Sequence, residues 1–204
     1  MKTTPFDKSV AAGICIGIGT TVYLSCDNRY IGAILFAIGL LTICHYSLDL
    51  FTGKIGYLPN NRNPLDCLKA WCGNLYGCIL AVTPMRIANP QLSEKASAII
   101  ENKPTDLFML TICGIFCGII MFVAVDGYKR SANGISKYLP ILFGVPTFIL
   151  CGFEHSIANM CYYTYSVNSF PDLTIAVYVI FIVSLSNSCG AILANYLLTS
   201  TRNE

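Results

Sequence analysis

Apolar residues in this chain come in long unbroken runs rather than in alternation with polar ones. Uncharged apolar stretches cover roughly 9 to 25, 30 to 48, 70 to 85, 107 to 125, 139 to 153 and 174 to 198. A helix needs about 20 such residues to cross the hydrocarbon core of a bilayer, so the pattern predicts six transmembrane helices. The linkers between them, about 5 to 20 residues long, leave no room for a soluble catalytic domain. The chain reads as one transmembrane domain over residues 1–204. Composition agrees: 54% of the residues are hydrophobic and 12% are charged, too little polar surface to coat a soluble domain of this size.

The placement of charge sets the orientation. With a cytoplasmic N-terminus, Lys2, Lys8, Lys54, Arg62, Lys69, Lys129, Arg130, Lys137 and Arg202 fall inside, and Arg29, Arg86, Lys95 and Lys103 outside. Basic residues favour the cytoplasmic side, so both termini are expected there, in a cell membrane. Leu24-Ser25-Cys26 hints at a lipoprotein cleavage site after the first run. That reading is set aside: Tyr23 stands where an aliphatic residue is wanted, and no small-x-small site follows.

The two halves echo each other. Gly13-Ile14-Cys15-Ile16-Gly17 in the first run and Gly114-Ile115-Phe116-Cys117-Gly118 in the fourth share a G-I-x-x-G face. Asn74-Leu75-Tyr76-Gly77-Cys78-Ile79-Leu80-Ala81 in the third resembles Asn187-Ser188-Cys189-Gly190-Ala191-Ile192-Leu193-Ala194 in the sixth. Small residues recur in any packed membrane helix, but N-x-x-G-x-I-L-A twice is harder to attribute to that. Repeats of about 1–100 and 101–204 follow, and three spans in each give them opposite orientations across the bilayer.

The middle span of each half is interrupted. Asp49, Gly53, Lys54 and Gly56 break the second, and Gly152-Phe153-Glu154-His155 breaks the fifth. Non-helical backbone at membrane depth is tolerated only where protein buries it or a water-filled cavity flanks it. Two such breaks related by an inverted repeat are the expected anatomy of a permeation site. Asp49 reads as the cap of a half-helix, Glu154 as an anchor for its break, and Asn74 and Asn187 as supports for the breaks. Most of the 11 cysteines lie in apolar runs and read as packing residues. With only two histidines neither a metal nor another cofactor is expected, and nothing points to nucleic acid.

These segments resemble the formate/nitrite transporter family. Gly152-Phe153-Glu154-His155-Ser156-Ile157-Ala158-Asn159-Met160 is similar to its signature, Asp49-Leu50-Phe51-Thr52-Gly53 to its E-L-F-T-[GS] loop, Gly73-Asn74-Leu75-Tyr76-Gly77 to its G-N-x-x-G, and Ala12 to Gly19 to its A-G-x-x-I-G-x-G. The resemblance implies an all-α homopentamer of aquaporin-like six-helix protomers, each with its own pore for small monovalent weak-acid anions, and no enzyme activity. It implies a pore centre at His155 faced by Thr52, and a hydrophobic slit of Phe36, Leu40, Leu50, Phe51 and Phe148. It also implies a vestibule lysine at Lys103, and Asn159 joins Asp49, Glu154, Asn74 and Asn187 as an expected break support. Three features depart from the family. Asp49 replaces its Glu, the asparagine usual in the fourth helix is missing around Gly118-Ile119-Ile120, and the stretch before the first helix is short, which disfavours gating by a long N-terminal helix.

Such a pore suits a weak acid. A bare anion in an apolar slit faces an idealised Born cost of tens of kcal/mol. Protonating a carboxylate of pKa about 3.5 at neutral pH costs only about 4 to 5 kcal/mol, so crossing as the neutral acid, or with a shared proton, is cheaper. His155 can lend that proton or a hydrogen bond, histidine being the side chain whose ordinary pKa lies nearest neutrality. Formate and nitrite lead as substrates; hydrosulfide, acetate and lactate are alternatives of the same chemistry. An aquaporin-like neutral-solute channel ranks lower because N-P-A boxes are absent, and a zinc protease lower still because Glu154-His155 is not H-E-x-x-H.

Overall fold

The computed structural model describes residues 4–60, 63–104, 106–132 and 134–200, with side chains as far as residue 198. Lys2, Arg62 and Arg202, used above to orient the chain, lie outside the described residues. Among those residues there are nine α-helices and no strand: α1 (Pro5–Ser25), α2 (Arg29–His45), α3 (Phe51–Lys54), α4 (Pro64–Ala88), α5 (Gln91–Glu101), α6 (Leu107–Arg130), α7 (Leu139–Leu150), α8 (Ser156–Ser166) and α9 (Phe170–Ser200). Local chemistry sets several starts. Thr4 and Asp7 form a capping box around Pro5, Asn28 accepts from the backbone N–H of Tyr30 and Ile31, and Asp106 accepts from Met109.

The helices α1, α6 and α9 are long and apolar enough to cross a bilayer. α2 is equally apolar but spans only 17 residues, or roughly 25 Å, because it stops at a break; α7 stops at the other. The burial pattern is that of a membrane protein. Ile31, Ile34, Leu35 and Ile38 of α2 and Val177, Phe181 and Leu185 of α9 face outward, each about half exposed, while Thr52, Asn74, Glu154, His155 and Asn187 are buried. Such an apolar surface belongs in lipid or against another apolar surface rather than in water.

Two helix pairs, α1 with α4 and α6 with α9, form the frame. A Cβ on Gly13 would overlap the carbonyl of Asn74, and one on Gly118 that of Asn187. Gly77 meets the carbonyl of Val10 in the same way, and Gly190 that of Ile115. Backbone-to-backbone packing of this kind is open only to glycine. One contact is kept with its members exchanged. A Cβ on Gly73 would sit 2.5 Å from that of Ser9, and a Cβ on Gly114 would sit 2.5 Å from that of Ser186.

These contacts correct the register read from G-I-x-x-G. Gly13 corresponds to Gly118, not to Gly114, whose counterpart is Ser9, a shift of one helical turn. The match of Asn74 and Gly77 with Asn187 and Gly190 needs no such shift.

The breaks are built alike. Leu48 N–H donates to Ile43 O at 2.9 Å, and Phe153 N–H to Phe148 O at 2.9 Å. The residue before each donor is left-handed, Ser47 at φ 51° and Gly152 at φ 69°. Both ends are Schellman closures, which satisfy the last carbonyls of a helix. Each chain then meets the first helix of its own half: Asp49 N–H donates to Lys8 O at 3.4 Å, and Glu154 N–H to Cys113 O at 3.3 Å. The amphipathic α5, which buries Leu92 and Ala96 and packs on α8, is not in the apolar-run pattern because its outer face is polar.

Candidate functional site

Each break is held by one buried asparagine. Asn74 Oδ1 accepts from Phe51 N–H at 2.8 Å, and its Nδ2 donates to Ser9 O at 2.8 Å and Asp49 O at 2.9 Å. Asn187 repeats this in the other half: Oδ1 accepts from Ser156 N–H at 2.9 Å, and Nδ2 donates to Gly114 O and Glu154 O, both at 2.8 Å. A backbone that leaves the helix ladder inside a bilayer must find partners in protein, and these amides supply them.

The clamps bring His155 to Thr52. His155 is the N-cap of α8, and its Nδ1 accepts from Ala158 N–H at 3.1 Å. An acceptor nitrogen carries a lone pair, so the network assigns the ring proton to Nε2. Nε2 then donates to Thr52 Oγ1 at 3.0 Å. Phe148 packs against the imidazole, centroids 5.3 Å apart, and meets Phe36 edge-on at 5.9 Å.

Two cavities lie at opposite ends of α2. One, of about 540 Å³, is walled by Arg29, Lys103, Phe148, Glu154 and His155 among others. The second, of about 410 Å³, is walled by Ile43, His45, Asp49, Leu50, Lys54, Lys129 and Lys137. Phe36 and Leu40, both buried, lie on α2 between its two ends. The five residues read from sequence as one slit therefore divide: Phe148 borders the first cavity and Leu50 the second. Phe51 is buried and borders neither cavity.

The charged residues fall into two groups. Lys103 Nζ donates to both oxygens of Glu154, at 2.9 and 2.8 Å, and Asn159 Nδ2 donates to Oε2 at 2.8 Å. Lys103 is thus tied to a carboxylate rather than facing the cavity as an unpaired charge. Asp49 is not a helix cap: Leu50 holds the N-cap position of α3 without a side-chain bond, and the Asp49 carboxylate takes Lys54 Nζ at 2.8 Å. The Asp49 backbone is held separately, its carbonyl by Asn74 and its N–H by Lys8.

Sequence reasoning missed Arg29, Tyr23, Tyr162 and Lys54 as cavity residues. Arg29 donates to Leu150 O at 3.0 Å and Ile149 O at 3.3 Å, the carbonyls at the end of α7. Its signal in the sequence is a charge at the start of an apolar run, the same charge that orients the chain. Asn195, buried on α9, donates to Gly56 O at 2.8 Å and ties α9 to the turn after α3.

Fold and site define a helical membrane protein with a buried polar centre between two cavities. Residues 3–200 match the formate/nitrite transporter family, and the chain belongs to it. It is 26% identical to the formate channel FocA of Escherichia coli strain K12 over 180 residues, covering 76% of this chain and 63% of FocA. It is 25% identical to the nitrite transporter NirC of the same strain over 181 residues, covering 78% of this chain and 67% of NirC. The chain therefore matches less than two thirds of FocA's length. A solved structure, a pentameric formate channel with formate bound, superimposes with a TM-score of 0.75 at 22% identity, over 98% of this chain and 94% of that one; the fold is shared.

Proposed function

We propose that this protein is a transmembrane channel for small monovalent weak-acid anions, formate or nitrite first, with hydrosulfide and short carboxylates as alternatives. The observation that carries the reading is the pair of cavities at opposite ends of α2, separated by apolar residues and the His155–Thr52 contact. α2 with α3 and α7 with α8 would each make one crossing, giving six, and the matched clamps and breaks support two inverted three-helix repeats within a single domain. Residues assigned outside by charge, Arg29 and Lys103, border one cavity; Lys54, Lys129 and Lys137, assigned inside, border the other. That sorting supports cytoplasmic termini. The outward apolar faces of α2 and α9 suit a homopentamer in a lipid bilayer, the assembly of the solved relative.

In this reading the anion collects at a basic mouth, sheds water between Phe148, Phe36 and Leu50, and takes the Nε2–H of His155 in place of Thr52. Donation costs nothing at Nδ1. Protonating Nδ1 instead requires Ala158 N–H to give up its acceptor, so the imidazole serves as a hydrogen-bond donor first, and net proton transfer requires the cap to open. Thr52 receives the bond again once the anion leaves.

Formate flux into proteoliposomes, measured across pH for wild type and His155→Gln, tests the histidine's part; identical pH profiles would remove it. Flux of formate, nitrite, hydrosulfide, acetate and lactate in the same vesicles ranks the substrates, and absence of flux for all five overturns the channel.

A further inference from the structure

The asparagine clamps fix a residue-by-residue correspondence between the two breaks. Asn74 holds Asp49 O and Phe51 N–H as Asn187 holds Glu154 O and Ser156 N–H. Asp49 therefore matches Glu154, and Lys54 matches Asn159. The matched side chains make matched contacts: Lys54 Nζ to Asp49 Oδ1 at 2.8 Å, and Asn159 Nδ2 to Glu154 Oε2 at 2.8 Å. Where one half uses a neutral amide, the other carries a full positive charge.

The two carboxylates are not equally committed. Glu154 has Lys103 on both oxygens and Asn159 on one, and its side chain is 3% exposed. Lys103, 12% exposed, directs its donors to both oxygens of that one carboxylate. Asp49 and Lys54 are 17% and 18% exposed, both border the second cavity, and the contact between them runs to one carboxylate oxygen. An ammonium bound to one oxygen of a partly exposed carboxylate has donors left over and a partner it can exchange. Formate and nitrite present the same oxygen acceptors as Asp49.

We propose that Lys54 is the anion-receiving group of the second cavity, where a small monocarboxylate or nitrite shares or replaces Asp49 on its ammonium. The proposal rests on the channel reading above and moves the vestibule role from Lys103, which is tied to Glu154, to a lysine inside the broken helix itself. Lys129 and Lys137 border the same cavity and add to its positive field, so the anion is held while Asp49 keeps its charge.

Initial formate flux is measured in proteoliposomes for wild type, Lys54→Asn, Lys54→Arg and Asp49→Asn. Lys54→Asn places at 54 the residue that already serves at 159. Its half-saturating formate concentration should rise about fivefold, Lys54→Arg should restore much of the loss, and Asp49→Asn, which frees the ammonium, should lower the value. If Lys54→Asn and Asp49→Asn raise it alike, the pair is a structural tie and the inference falls. Flux in wild type with an unchanged value in Lys54→Asn overturns this inference alone, whereas no flux in wild type overturns the channel with it. Formate-dependent rise in melting temperature of detergent-purified protein reads binding separately. It should be larger in Asp49→Asn than in wild type, and an equal or smaller rise counts against Lys54.

Discussion

His155 has two nitrogens with different duties. Nδ1 caps α8 through Ala158 N–H, and Nε2 faces Thr52. An asparagine at this position keeps a capping acceptor but is too short to reproduce the Nε2 contact. His155→Asn should therefore melt within about 1 kcal/mol of wild type while losing most of its formate flux, measured by thermal unfolding and vesicle flux on the same preparation. An unfolded His155→Asn would mean that the ring is needed for packing rather than for the anion. The residues themselves were legible in the sequence because Glu154-His155-Ser156 and Phe51-Thr52-Gly53 are short motifs. The division of labour on the ring was not, since it depends on where the Ala158 N–H points, a property of backbone rather than of composition. Lys54 was legible as an interruption of an apolar run and as an inside charge, but not as a cavity residue.

At the scale of elements, the exchanged contact makes a reciprocal test. Gly73→Ser alone forces a Cβ into Ser9 and should cost about 1–3 kcal/mol, as overpacking does. Adding Ser9→Gly should recover most of that loss, because Gly114 and Ser186 already pack in this arrangement in the other half. Melting temperatures of the two single variants and the double variant in detergent give the coupling; additive losses would show that the two contacts are not equivalent. Most helices were legible as apolar runs, with starts moved outward by capping residues such as Thr4 and Asn63. α5 was not, because a helix lying against α8 needs only one apolar stripe. The repeat was legible in α4 and α9 but misregistered in α1 and α6, since glycines four apart look the same after a slip of one turn and only the facing carbonyl distinguishes them.

At the scale of the molecule, the two halves share a scaffold but not a charge pattern. The clamps, the Schellman ends and the glycine contacts recur, while Leu50 stands where the other half has His155, and Lys54 where it has Asn159. The first cavity sets Arg29 and Lys103 against Glu154, and the second sets three lysines against Asp49. For the proposed channel this inequality makes the pore a rectifier. With equal dilute formate on both sides of a planar bilayer, the more basic mouth holds the higher local concentration of anion, so current driven from that mouth should exceed current driven towards it. The ratio should fall towards unity as an impermeant salt shortens the Debye length from about 30 Å at 0.01 M to about 3 Å at 1 M. A current–voltage curve that is straight at both salt concentrations would mean that the fixed charges of the second cavity are not felt by the permeating ion.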